Sequence, residues 1–228
     1  MIYVTGDTHG DINRFKRREL KKLTSKDYLI ICGDFGFIWD ESETEKENLE
    51  FLKSQKYTIL FVDGTHENFD LLESYPVVDY KSGKATQIAK NIFHLRRGEI
   101  YNIGGKFLFT FGGGVSSDLQ QIIDHSAWYE RELPTDEEML QAAKKLKSWN
   151  CEVDYIITHE TSSTNKHKIW HNCDTNPVND YLEHLCSAVR YEKWFFGNLH
   201  VDYAVNDKDF AIFEEIIPID GVRKNRQF

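Results

Sequence analysis

Five short stretches hold the side chains able to bind a metal ion or move a proton: Asp7-Thr8-His9, Gly33-Asp34, Gly64-Thr65-His66-Glu67, Thr158-His159 and Gly197-Asn198-Leu199-His200. Carboxylate oxygens suit hard cations and imidazole nitrogens suit transition metals, so an Asp-x-His pair offers both kinds of donor to one ion. Gly6 and Gly10 flank the first pair, where they let the backbone bend and a ligand approach. A single Asp-x-His is common in turns; five such stretches matter only if the fold brings them to one place.

Each stretch ends a short apolar run. Ile2-Tyr3-Val4, Tyr28-Leu29-Ile30-Ile31-Cys32, Tyr57-Thr58-Ile59-Leu60-Phe61-Val62, Tyr155-Ile156-Ile157-Thr158 and Trp194-Phe195-Phe196 are rich in β-branched and aromatic residues and read as buried strands. Between the first three lie a helix from Asp11, as cap, to about residue 23, with Phe15, Leu20 and Leu23 as an imperfect apolar face, and a charged helix over 43–55 that turns Leu49 and Leu52 inward. Strand, helix, strand, helix, strand is the signature of βαβ units and a parallel or mixed sheet, in which ligands gather at the carboxyl ends of the strands. The lysines and arginines at 16–18 and 21–22 read as a solvated helix face.

The middle of the chain changes character. Residues 92–95, 99–103 and 106–111 read as a β meander broken at Arg97-Gly98 and Gly104-Gly105, with His94 a structural histidine among apolar neighbours. Gly112-Gly113-Gly114, before Val115-Ser116-Ser117-Asp118, reads as a turn beside the site rather than an anion cradle. Thr135 and Glu138 form a capping box for a helix to about 149. Residues 161–176 read as a polar surface loop that contains His167 and His171, and 177–189 as a helix. Residues 203–205 and 210–218 read as strands, followed by a basic tail over 223–226.

In order and spacing the five stretches resemble the calcineurin-like metallophosphoesterases, whose pattern is Asp-x-His, Gly-Asp, Gly-Asn-His-Asp/Glu, a later His, and Gly-His-x-His. The resemblance spans residues 2–200. It implies an α/β fold, a four-layer αββα sandwich with mixed β-sheets and a two-metal site at the carboxyl ends of the strands. It further implies that Asp7, His9 and His200 bind one ion, that Asp34 bridges both, and that positions 65, 159 and 198 complete the second. His66 would be the catalytic acid or electrostatic helper at the leaving group. The implied cofactors are divalent transition metals: manganese, iron or zinc.

The chemistry is coherent on its own terms. Two cations neutralise the negative oxygens of a phosphoester and generate a nucleophile from water, and a nearby imidazole protonates the departing alkoxide. The chain departs from the family pattern at Thr65, where the family has Asn, and at Asn198, where it has His. Both changes fall on the second ion. A neutral hydroxyl is a poor ligand and an amide oxygen binds these metals more weakly than imidazole, so one ion is expected to be tight and the other weak. Glu160, beside His159, is a candidate replacement oxygen. Three readings follow: a working phosphomonoesterase or phosphodiesterase; a degenerate member that binds a metal or phospholigand as a regulator; or a variant inactivated at positions 65 and 198.

The rest of the composition bounds the partners. With 228 residues, 40% of them hydrophobic, the chain can bury a substantial core, and a single domain over 1–228 is expected. The net charge of −9 argues against long nucleic acid and anionic membranes. No membrane-length apolar run or signal-peptide pattern occurs, which implies a cytoplasmic protein. Cys32, Cys151, Cys173 and Cys186 form no Cys-x-x-Cys pair, and Cys32 reads as a small buried hydrophobe. Trp128, Tyr129 and Trp170 are aromatics able to stack on a base or to serve as ordinary core or surface residues. The implied substrate is phosphorylated; its class and the oligomeric state are left open.

Overall fold

Side-chain alternation sets the layers. The computed structural model describes residues 1–116 and 130–221; Ser117, Asp118, Trp128, Tyr129 and the tail over 223–226 lie outside the described residues. In β1 (Ile2–Thr5), β2 (Tyr28–Ile31) and β3 (Thr58–Phe61), Val4, Ile30 and Leu60 face an inner core while Leu29, Ile31, Ile59 and Phe61 face an outer one. In β8 (Lys106–Phe111), β9 (Tyr155–Thr158) and β10 (Lys193–Phe196), Leu108, Tyr155, Ile157 and Phe195 join the same inner core, and Phe109, Phe111, Ile156, Trp194 and Phe196 face a third cluster. Two sheets therefore share one apolar interior, and each needs a further layer on its outer face.

The first sheet is covered by two 3-10 turns, Ile12–Lys16 and Leu20–Lys22, with α1 (Glu43–Lys53) and α2 (Phe69–Ser74). The second is covered by α3 (Asp136–Ser148) and α5 (Pro177–Ala188), while α4 (Ser163–Ile169) lies between them in sequence and packs against α5. Strands β4 (Val77–Tyr80), β5 (Gly83–Ala89), β6 (Ile92–Leu95) and β13 (Ile217–Pro218) complete a seven-stranded sheet in the order β13-β1-β2-β3-β6-β5-β4. With β7 (Glu99–Ile103), β11 (Tyr203–Ala204) and β12 (Asp209–Ala211), the other is six-stranded in the order β11-β12-β10-β9-β8-β7. Both sheets are mixed, and the layering is the expected αββα sandwich. No helix of the described residues is long and apolar enough to cross a membrane.

Register aligns the loops. Thr5 pairs with Ile31 and Ile31 with Phe61, so three parallel strands of the first sheet end level. Phe111, Thr158 and Phe196 do the same in the second. The five chemistry-bearing stretches thus leave their sheets at one end of the sandwich.

Four expectations change. The segment 11–23 is no single helix: Arg17 is extended between the two 3-10 turns, and Leu20 and Leu23 are buried three apart, the 3-10 period. The meander is divided, β6 joining the first sheet and β7 and β8 pairing in the second. Residues 210–218 likewise switch sheets between β12 and β13. The loop over 161–176 contains α4, capped by Ser162, whose buried Asn165 donates to Asp209 across 3.2 Å. A helix buried through an amide carries no apolar period. His167 and His171 are exposed, as expected, while Cys32 is fully buried.

Candidate metal centre

The loops that follow the level strand ends are tied to one another before any side chain is considered. The amides of Thr8 and His9 donate to the Asp34 carbonyl at 3.0 and 2.8 Å, and the Thr8 hydroxyl to the Phe35 carbonyl at 2.8 Å. Glu67 Oε1 accepts the Phe35 amide at 2.8 Å, binding the loop after β3 to that after β2. Two glycines admit the carboxylates: a Cβ on Gly64 would overlap Asp34 Oδ1, and one on Gly197 would overlap Asp7 Oδ1. The neighbouring amides then hold those groups. Thr65 and His66 donate to Asp34 Oδ1 at 2.6 and 2.9 Å, and Asn198 donates to Asp7 Oδ2 at 2.8 Å.

His9, Asp34, Asn198 and His200 have φ of 45°, 44°, 63° and 49°. Left-handed backbone costs a non-glycine residue on the order of 1 kcal/mol or more, and four such residues in one centre mark a geometry imposed by the surrounding packing.

Asp7, His9, Asp34 and His200 each offer a ligand atom, and these atoms lie within 4.8 Å of one another. His9 Nε2 and His200 Nε2 are 3.0 Å apart, and His200 Nε2 is 3.2 Å from Asp7 Oδ2. His159 is fully buried and donates through Nδ1 to the Cys32 carbonyl at 3.1 Å, which leaves its Nε2 on the side of Asp34 Oδ1, 3.6 Å away. His159 Nε2 and Asp7 Oδ1 are buried without a hydrogen bond. Buried polar atoms left without partners are costly, and converging nitrogen and oxygen donors are what a divalent transition metal requires, so the residues fit such an ion.

The electrostatics agree. Burial alone would lower the His159 pKa, but the Asp34 and Asp7 carboxylates outweigh it and push it up to about 10. Burial would raise Asp34, yet the His159 and His66 rings hold it below the usual carboxylate range. For His9 desolvation prevails over Asp34 and the pKa falls. A field that retains a proton on buried His159 is one a cation can take over.

His66 Nδ1 lies 3.2 Å from Asp34 Oδ2, and that hydrogen bond raises the ring's pKa against the effect of burial. Thr65 is buried with its hydroxyl 3.3 Å from His66 Nδ1. Asn198 lines the same cavity as Asp34, Thr65, His66 and His200.

Glu160 lines the same cavity, and its two oxygens accept the side-chain amides of Asn176 and Asn179 at 2.8 and 2.7 Å, which ties it to the cap of α5. Asp63, at the end of β3, is also committed elsewhere. It accepts from His94 Nε2 at 3.0 Å and from Arg97 Nε at 2.8 Å, which gives His94 its structural role. The amides of Gly113 and Gly114 donate to the carbonyls of Asp63 and Glu132, so this turn is braced beside the site and forms no anion cradle.

Sequence reasoning passed over Glu132. Its carboxyl is buried, accepts the Ser116 amide and stands in the field of His66 and Asp34; desolvation pushes its pKa up to about 8. A glutamate in the charged run before Pro134 carries no signal of this. Arg97 reaches the Glu132 carbonyl at 3.0 Å while it pairs with Asp63, so one buried guanidinium joins the end of β3 to the segment that carries Glu132.

A family model described as calcineurin-like phosphoesterase matches residues 1–213. No curated protein matches the chain. Among solved structures it is similar to the protein of unknown function AQ665 from Aquifex aeolicus, at 18% identity over 71% of this chain and 79% of that one, with a TM-score of 0.34. It is also similar to a protein serine/threonine phosphatase from Saccharomyces cerevisiae, described as having similarity to human phosphatase PP5. That match has 16% identity and a TM-score of 0.41, and covers 93% of this chain and 66% of the yeast one.

Proposed function

The chain belongs to the calcineurin-like phosphoesterase family, and from that membership we propose that it is a metal-dependent hydrolase of phosphoesters. The observation that carries the reading is the convergence of Asp7, His9, Asp34 and His200 within 4.8 Å at the carboxyl ends of both sheets. These four would hold one divalent manganese, iron or zinc ion, and Asp34 and His159 a second, with Thr65 and Asn198 as poor donors to it. When bound, the ions would supply the positive charge that neutralises phosphoester oxygens and acidifies the attacking water.

The chain's own groups do the rest. The amides of Thr65 and His66 fix the Asp34 carboxylate, and that of Asn198 fixes Asp7, so neither has to reorganise as charge develops on the substrate. His66, anchored through Nδ1 to Asp34 Oδ2, keeps a proton at higher pH than a free imidazole and can give one from Nε2 to the departing oxygen.

The test is turnover of an alkyl and a 4-nitrophenyl phosphoester by protein stripped with chelator and then reloaded with manganese. Activity should vanish on stripping and return on loading. His66→Gln should slow the alkyl ester by about 10²-fold and the nitrophenyl ester, whose leaving group needs no proton, far less. Turnover indifferent to chelator would overturn the reading.

A second reading, a ligand-binding member without turnover, is favoured by one observation. The Thr65 hydroxyl approaches the His66 ring rather than standing clear as a metal donor.

A further inference from the structure

The cavity in front of the metal centre, of 480 Å³, has a second wall unlike the first. Asp34, His66 and His200 line it from the strand ends, and Lys166 and Trp170 line it from α4 and its C-cap. These two residues are four apart, and the Trp170 amide donates to the Lys166 carbonyl at 2.8 Å, so they sit one turn apart on one helix face. Trp170 is 44% exposed, and among the described residues no ring stacks on its indole and no cation lies over it. The Lys166 ammonium meets the neutral amide oxygen of Asn179 at 3.3 Å and, among the described residues, no carboxylate.

An uncovered aromatic plane and a lysine that makes no ion pair among the described residues thus share a cavity with groups suited to a phosphoryl centre, in a lining that also includes the Glu160 and Asp174 carboxylates and a chain whose net charge is −9. A lone exposed tryptophan is unremarkable on a convex surface. One that lines a cavity of small-molecule size together with the candidate metal centre presents a stacking platform to whatever that cavity holds.

Resting on the hydrolase reading above, we infer that the substrate is a nucleotide: its phosphorus lies at the Asp34, His66 and His200 end, its base stacks on Trp170, and Lys166 meets the ribose-phosphate edge. Stacking on an aromatic plane tolerates any base, because every base has a π-face, so Trp170 selects for the presence of a base and not its identity.

The experiment uses full-length protein loaded with manganese and two ligands that cannot be hydrolysed, the phosphonate analogues of adenosine 5′-monophosphate and of ribose 5-phosphate, titrated by calorimetry. The adenosine analogue should bind about tenfold more tightly or better. Trp170→Ala should abolish that difference while leaving the affinity for the ribose analogue within about twofold, and Trp170→Phe should keep most of it. Lys166→Gln should weaken both ligands alike. Equal affinity of the two analogues for the unaltered protein, a comparison that needs no variant to fold, would overturn base recognition, as would an equal loss of both ligands in Trp170→Ala. Turnover of 4-nitrophenyl phosphate and of bis(4-nitrophenyl) phosphate, measured in parallel, separates the two readings. Absence of both defeats the hydrolase, tighter binding of the adenosine analogue then marking a nucleotide ligand that is not a substrate, whereas turnover of either with equal affinities defeats the nucleotide alone.

Discussion

Asp34 stands between two unequal halves of one centre. On one side are Asp7, His9 and His200, a carboxylate and two imidazoles whose donors converge; on the other are buried His159, with Nε2 3.6 Å from Asp34 Oδ1, and Thr65 and Asn198, which line the cavity with Asp34. The backbone treats the halves alike. Thr65 and Asn198, the two positions that depart from the family pattern, still give their amides to Asp34 and Asp7. Their side chains can therefore change while the carboxylates of the complete half stay in place. Donor chemistry and scaffold are separable because a main-chain N–H is supplied by every residue except proline, whereas a ligand atom is supplied by very few.

The sharpest way to break this comparison is to damage each half in turn. Asp7→Asn should lose the tightly held ion through dialysis and bring turnover to background. His159→Gln should retain about one ion per chain, by metal analysis of the dialysed protein, and suffer mainly at low added metal. Equal ion loss from both variants, or two ions retained by the unaltered chain through dialysis, would show that the halves are equivalent.

A smaller effect comes from repairing the weaker half. Thr65→Asn with Asn198→His should add a second retained ion and raise hydrolysis of an aryl phosphoester by about tenfold, an imidazole replacing an amide oxygen as donor. Two-ion occupancy with no gain in rate would favour the binding-protein reading.

The smallest effect is on stability. Without metal, His159 has its pKa raised from 6.5 to about 10, and His66 and His200 are raised as well. A group raised on folding contributes stability that is complete below its unfolded pKa and is lost as pH climbs through the folded one. Chelator-treated protein should therefore lose about 5 °C of melting temperature between pH 7 and pH 9. Manganese should flatten that slope, since the cation takes the place of the proton. A melting temperature that rises over this window without metal would contradict the charge arrangement around Asp34.

Much of the fold was legible because β-forming runs with buried alternation punctuate the chain, and the capping box of Thr135 and Glu138 forms as the spacing requires. The hairpin of β4 and β5 was missed. Its two-residue turn, Lys81-Ser82, takes φ of 51° and 78° without the Asn-Gly or Asp-Gly that usually announces such a turn. α4 was missed because the face it buries is an asparagine. Within the site, Asp63 and Glu160 carry the same side-chain chemistry in sequence as any ligand. What holds them is Arg97 in one case and two asparagines of the α5 cap in the other, contacts that only the fold creates.

The sequence by itself determined which donor each strand end can offer, a hydroxyl at Thr65 and an amide at Asn198 included, because donor chemistry belongs to the residue type. Only the tertiary structure decided which side chains meet. It tied Glu160 to the α5 cap, brought Glu132 into the field of His66, and set Lys166 and Trp170 in one cavity with Asp34. Partners in such contacts lie up to 191 residues apart, as Asn198 does from Asp7, and the turns that aim them adopt left-handed backbone that packing enforces and local preference opposes.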